Sequence, residues 1–126
     1  MPRLFQSLFD TLSALSPIAR YIINGPSMLP TFAPGERVVV NKVAYQWRSP
    51  AKGDVVAFRH PLNDARPLLK RVAAGPGELV TIGSREYQLG RQEWYVVGDN
   101  AESSTDSRQF GPVERRQIVG KVWFRY

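Results

Sequence analysis

The chain has 126 residues, a formal net charge of +6, and 43% hydrophobic and 11% aromatic residues. That length holds one hydrophobic core rather than two, and the composition is that of a globular chain, not a disordered one. It has no cysteine and a single histidine, His60. Disulfides and a thiolate nucleophile are therefore excluded, a zinc site is disfavoured, and no metal or other cofactor is expected.

Residues 3–16 read as an amphipathic helix. Leu4, Phe5, Leu8, Leu12 and Leu15 recur at helical spacing, while Gln6, Ser7, Asp10 and Ser13 fall opposite, and Pro17 interrupts the pattern. The pattern divides the chain into an N-terminal helix over 1–19 and a domain over 20–126. The helix either docks on that domain or lies peripherally on a membrane, with Arg3 and Arg20 the cations available to lipid phosphates. No stretch reaches the roughly 18–20 uninterrupted apolar residues of a membrane span, and the signal-peptide layout is absent. The expectation is a cytoplasmic protein, peripheral on the membrane at most, with the outer membrane face as the alternative.

The basic excess is local. Arg37, Lys42, Arg48, Lys52, Arg59, Arg66, Lys70 and Arg71 face only Asp54 and Asp64, and the tail adds Arg115, Arg116, Lys121 and Arg125. Such a balance attracts nucleic acid or anionic lipid, but no nucleic-acid-binding motif accompanies it. A solvated face of a basic protein, with no nucleic-acid partner, is the reading adopted.

Beyond Arg20 the chain reads as short strands: Arg37–Val40, Asp54–Phe58, Leu79–Ile82, Trp94–Val97 and Ile118–Phe124, rich in β-branched and aromatic residues. Gly/Pro turns separate them at 33–35, 49–53, 75–77 and 83–84. With no βαβ alternation, the fold class is mainly β, an antiparallel barrel or sandwich of short strands with the short N-terminal helix. Arg59–Pro67, containing His60-Pro61 and Asn63-Asp64, reads as a mobile loop.

Three segments carry chemistry. Ser27 lies in Gly25-Pro26-Ser27-Met28-Leu29-Pro30-Thr31, where the prolines restrict the backbone and hold the hydroxyl in one direction. A serine needs a base, and Lys70 serves only when neutral, although an unperturbed lysine titrates at about 10.4. Bringing it to about 8 takes about 3 kcal/mol of differential stabilisation. A strand over Leu68–Val72 supplies the means: period two puts Leu68, Lys70 and Val72 on one face and sends Arg71 to the other. The third segment, Gly98–Arg108, is dense in Asp and Ser, with Asp106 and Arg108 placed to form a pair. Taken singly, each segment also fits an ordinary turn or an exposed edge strand.

Taken together and in this order, Ser27–Thr31, Lys52–Phe58, Lys70-Arg71 with Gly75–Glu78, and Gly98–Asn100 through Gly111 resemble the boxes of type I signal peptidases, over roughly Ile22 to Val122. The resemblance implies a serine endopeptidase with a Ser/Lys dyad that removes an N-terminal leader or propeptide after small residues. By position it implies Ser27 as nucleophile, Lys70 as general base, Ser104 as the serine that orients the lysine, and Asp106 and Arg108 as a supporting ion pair. Ile23, Met28, Phe32, Leu68 and Leu69 fall where the family lines its substrate pockets.

Some relatives carry a serine two residues before the nucleophile as a second oxyanion donor. This chain has Gly25 there, so that donor is unassigned. Ala101 stands where a basic residue is common, and only Gly83–Gln92 occupies the place of a large inserted β-domain. The stripped form is similar to mitochondrial inner-membrane peptidases and to the maturation peptidases of nickel superoxide dismutase, which implies a leader-bearing precursor as partner, nickel superoxide dismutase being the candidate. Two other readings stay open: a non-catalytic basic binding module on the same scaffold, and a self-cleaving repressor-type Ser/Lys protease, for which the segment before Ser27 is short. His60, in a Pro-bounded loop, is read as incidental.

Overall fold

The structure is a computed structural model that describes residues 15–60 and 63–126, the side chains of 63–65 excepted. Among the described residues the strands are β1 (Ile18–Ile22), β2 (Arg37–Asn41), β3 (Val55–His60), β4 (Asn63–Ala74), β5 (Leu79–Ile82), β6 (Arg85–Gln88), β7 (Glu93–Val97), β8 (Val113–Glu114) and β9 (Ile118–Arg125). A 3₁₀ turn at Ala101–Ser103 and a one-turn helix at Ser107–Phe110 follow β7. Seven strands form one antiparallel sheet in the order β1-β2-β9-β3-β4-β7-β8, and β5-β6 make a separate ribbon. The mainly β, antiparallel expectation holds. The sheet stays open, with β1 and β8 at its edges, and no barrel closes among the described residues. The helix expected over 3–16 lies outside the described residues except for its last positions.

The sheet is buried on both faces at its centre. Along β3, Val56 and Phe58 join a cluster with Tyr45, Val72, Trp94, Val96, Val113 and Ile118, while Val55 and Ala57 join another with Ile23, Met28, Val38, Val40 and Val122, so the sheet divides what the length suggested would be one core into two. The period of two in side-chain direction makes this division. Fully burying each large apolar side chain, Phe58 or Trp94 for example, contributes about 1.5–3 kcal/mol. The Trp94 indole N–H is satisfied by the Pro50 carbonyl at 3.0 Å. The β5-β6 ribbon docks through Val80 and Ile82 onto Ala74, Leu89 and Tyr95, and the Tyr95 hydroxyl donates to the Thr81 carbonyl at 2.8 Å.

Two features differ from the sequence reading. Arg59–Pro67 is not a free loop: β3 and β4 continue into it as a hairpin, with His60 paired to Asn63 beyond a register shift after Phe58. Its polar residues hid the extension, because strand ends that leave the core need no apolar alternation. Strands β1, β6 and β8 were also not anticipated. β6 is exposed along its whole length, β1 is an edge strand, and β8 has two residues, so each lacks the apolar signature of a core strand.

At Gly120, β9 passes close to the backbone of Asn41 and Lys42. A Cβ there would meet the Asn41 carbonyl oxygen and lie 2.9 Å from Lys42 Cα. Both obstacles are backbone and cannot swing aside, so Gly120→Ala should destabilise the fold by about 1–3 kcal/mol or more. The measurement is a urea titration, in which an unchanged midpoint would contradict the packing described.

Candidate active site

Lys70 sits on β4 opposite Val56, one residue in from the pair Leu69–Ala57. The alternation expected from sequence is present: Lys70 and Val72 are buried, Leu68 packs half-buried against the same core, and Arg71 turns away. The lysine is 4% exposed. Burial pushes its pKa below the ordinary value; the Asp106 carboxylate opposes this and the Arg108 guanidinium reinforces it.

Asp106 is wholly buried at the N-terminus of the one-turn helix. Its Oδ2 accepts from the Gly98 N–H at 2.8 Å, the Ser104 hydroxyl at 2.7 Å and Arg108 Nη2 at 2.5 Å. Its Oδ1 accepts from Arg108 Nε at 2.8 Å and the Arg108 N–H at 3.2 Å. Burial alone would raise its pKa, but these donors, Arg108 foremost, outweigh it and hold the carboxyl down at about 2. Asp106 and Arg108 are thus paired. The Ser104 hydroxyl donates to Asp106, an orientation the sequence did not indicate, since Ser104 was expected to serve Lys70.

Ser27 lies in a tight turn before the cis Leu29–Pro30 bond. Its carbonyl accepts from the Asn100 N–H at 2.8 Å, and the Asn100 side chain donates to the Pro26 carbonyl at 3.1 Å. Gly98 is where Ser27 and Ser104 meet: a Cβ there would lie 2.6 Å from Ser104 Cβ and 2.7 Å from the Ser27 carbonyl oxygen. Asp99 joins the other two parts, accepting from Thr31 Oγ1 at 2.6 Å and from Arg71 Nε and Nη2, both at 2.8 Å. The segment 98–108 therefore fastens the Ser27 turn on one side and the Lys70 strand on the other. Gly98, Asp99, Asn100 and Thr31 had no assigned roles from sequence; the signal available was the run Gly98-Asp99-Asn100 beside a Ser-rich loop.

A cleft of about 160 Å³ opens at Ser27, walled by Ile22, Ile23, Asn24, Met28, Leu68 and Leu69, with Arg66 and Pro67 at its far side. Four of the five expected pocket residues line it. Phe32 does not: it packs against the core of Ile23, Met28 and Val38, with the Arg125 guanidinium 5.9 Å from its ring centre. His60 packs against Phe110 with the rings tilted at 57° and their centres 4.4 Å apart. No cluster of His, Asp or Glu among the described residues is arranged to hold a metal ion, and no helix among them is long and apolar enough to cross a membrane.

Ser27 at the mouth of a small apolar cleft and the strand that carries the buried Lys70 are both tied to the segment 98–108. The family model "Signal peptidase, peptidase S26" matches residues 6–89 and 83–126, and the chain belongs to this family of serine peptidases. It is 34% identical over 110 residues to the mitochondrial ATP-independent inner membrane protease subunit 1b of Arabidopsis thaliana, a match spanning 80% of this chain and 65% of the plant protein. It is 33% identical over 150 residues to signal peptidase IB of Staphylococcus aureus, covering 86% of this chain and 78% of that one. Signal peptidase I of Leptolyngbya laminosa is 33% identical over 141 residues, covering 86% and 68% respectively.

The Asp106 carboxyl titrates below its unfolded value of 3.8. Its contribution to stability is therefore complete above that value and lost as pH falls through about 2. Asp106→Asn should melt several degrees below the wild type at pH 7, and the gap should narrow below pH about 4 and close near pH 2. Thermal melts across that range check this; a gap independent of pH would contradict it.

Proposed function

We propose that this chain is a serine endopeptidase in which Ser27 is the nucleophile and Lys70 the general base, removing an N-terminal leader or propeptide after small residues. The observation that carries the reading is the burial of Lys70, which disfavours its ammonium form, within the cluster that also fixes Ser27. Ser27 attacks the scissile carbonyl as the Lys70 amine takes its proton, giving a tetrahedral oxyanion and then an acyl-enzyme. Lys70 returns that proton to the departing amine, then takes one from the water that hydrolyses the ester. The Ser27 N–H is one oxyanion donor. With Gly25 two residues earlier, no serine side chain supplies the second from that position.

Ser104 is the positioning residue. Because its proton is committed to Asp106, its oxygen is free to accept from the lysine amine and hold it in place. Ile23, Met28, Leu68 and Leu69 form the walls that admit small side chains, and Phe32 supports them from the core. The substrate is a leader-bearing precursor. The run Ser104-Thr105-Asp106-Ser107-Arg108 favours a nickel superoxide dismutase precursor. The division into 1–19 and 20–126, with peripheral membrane contact through residues 3–16 on the cytoplasmic side, belongs to the same proposal; it rests on the repeat of Leu4, Leu8, Leu12 and Leu15.

The test is cleavage of a peptide whose leader ends in Ala-x-Ala, followed by mass spectrometry. Ser27→Ala and Lys70→Ala should each lower kcat/KM by about 10³-fold or more. Undiminished turnover by Ser27→Ala would exclude the reading.

The pH dependence follows from the lowered Lys70 pKa. Activity should rise with pH until the amine is neutral and then level off. Stability moves the same way, because between the lowered pKa and 10.5 the unfolded chain binds more protons. Lys70→Met should therefore melt a few degrees above the wild type at pH 7, the gap shrinking toward pH 10. Differential scanning calorimetry reads both values, and a less stable Lys70→Met would show that no penalty attaches to the buried ammonium.

A further inference from the structure

The cleft at Ser27 does not end at its apolar walls. It opens into a larger groove of about 650 Å³ that shares Ile22, Asn24, Arg66 and Leu69 with it and continues between Arg20, Tyr21 and Arg59. The groove runs between the edge strand β1 and the β3-β4 hairpin, and three guanidinium groups but no carboxylate line it among the described residues. Arg59 acts electrostatically on the Tyr21 phenol across the groove. Arg20 has the Tyr126 ring 5.9 Å away, and no ion pair to Arg20, Arg59 or Arg66 occurs among the described residues. Six cations elsewhere are paired: Arg48 and Lys121 with Asp54, Arg71 with Asp99, Arg108 with Asp106, Arg116 with Glu114 and Arg125 with Glu36.

Concentrating like charge in a concave, partly apolar wall raises the local potential and draws in the opposite charge. We propose that this groove binds an acidic stretch of the substrate's leader, upstream of the small residues that enter the Ser27 cleft. The inference rests on the leader-peptidase reading above. If the Ile23, Met28, Leu68 and Leu69 walls receive the residues just before the cut, the groove beyond Leu69 receives those from about the fourth residue back, at roughly 3.3 Å per extended residue. Guanidinium forks bind carboxylates through paired N–H donors, and Tyr21 adds a hydroxyl and an aromatic face. An anionic lipid surface would also be drawn to arginines. A groove that shares the walls Ile22, Asn24, Arg66, Pro67 and Leu69 with the cleft at Ser27 favours a chain threading through both.

The test uses two labelled peptides with the same Ala-x-Ala cut, one with Asp and Glu and one with Lys at the fourth to sixth residues before it. Binding to the Ser27→Ala protein is read by fluorescence anisotropy and turnover by the wild type by mass spectrometry. The acidic peptide should bind about tenfold or more tightly at low salt, with the difference falling at 0.5 M NaCl and appearing in KM rather than kcat. Arg59→Glu combined with Arg66→Glu, both exposed positions, should reverse the preference. Equal binding of the two peptides, or a preference untouched by the reversal, overturns the proposal. So does a double variant that loses binding to phosphatidylglycerol vesicles while keeping the wild-type peptide preference, which would assign the arginines to lipid. Preferential binding of the acidic peptide with no cleavage of either would leave the groove standing and remove the peptidase reading instead.

Discussion

A single carboxylate, that of Asp106, organises the site. Removing a charge from water without partners costs several kcal/mol, and a carboxyl so placed ordinarily neutralises instead. Here it remains ionised because the Gly98 N–H, the Ser104 hydroxyl and the Arg108 fork all donate to it. Each donor belongs to the segment 98–108, so the segment folds around the charge it carries. The same charge also bears on Lys70. Left alone, Asp106 would hold the lysine as an ammonium, opposing what burial achieves; Arg108 lies against Asp106 and lowers the lysine's affinity for a proton. The ion pair thus fixes Ser104 while Arg108 offsets part of the field of Asp106 at Lys70.

The neighbouring pair Asp99 and Asn100 converts that local order into a spatial relation between distant parts of the chain. Asp99 bridges Thr31, just after the Ser27 turn, and Arg71, next to Lys70. Asn100 holds the carbonyls of Pro26 and Ser27. Gly98 leaves no space between Ser104 and the Ser27 carbonyl, so the approach depends on its missing side chain. Three consecutive residues thus set how the Ser27 turn and the strand of Lys70 lie relative to one another.

What the sequence revealed and what it concealed follow from the range of each interaction. The alternation Leu68, Lys70, Val72 is local, so a lysine with an apolar face was legible from the sequence, as were the strands over Leu79–Ile82 and Ile118–Phe124. The antiparallel class was legible for the same reason. Arg59–Pro67 misled because a strand outside the core keeps its hydrogen bonds without apolar alternation, and β1 and β6 failed to register on the same account. The donor direction of Ser104, the double attachment of Asp99 and the withdrawal of Phe32 into the core are relations between segments far apart in the chain. Residue type and local period carry no record of them.

The size of the cleft constrains how such an enzyme holds its substrate. Walls that admit only small side chains recover little binding free energy, since each buried methylene contributes about 0.8 kcal/mol. Two alanine-sized residues therefore discriminate against larger ones by exclusion but cannot by themselves retain a peptide against its lost freedom. Retention has to come from contacts further along the chain, and the continuation of the cleft is wide, half apolar and lined with arginines that no carboxylate of this chain neutralises among the described residues. The +6 charge, read at first as a solvated basic face, is in part gathered where a bound leader would run. On the proposed reading, selection of the cut by a small pocket and capture of the chain by a charged groove are separate tasks carried by different walls of one channel, the first by Ile23, Met28 and Leu68, the second by Arg20, Arg59 and Arg66.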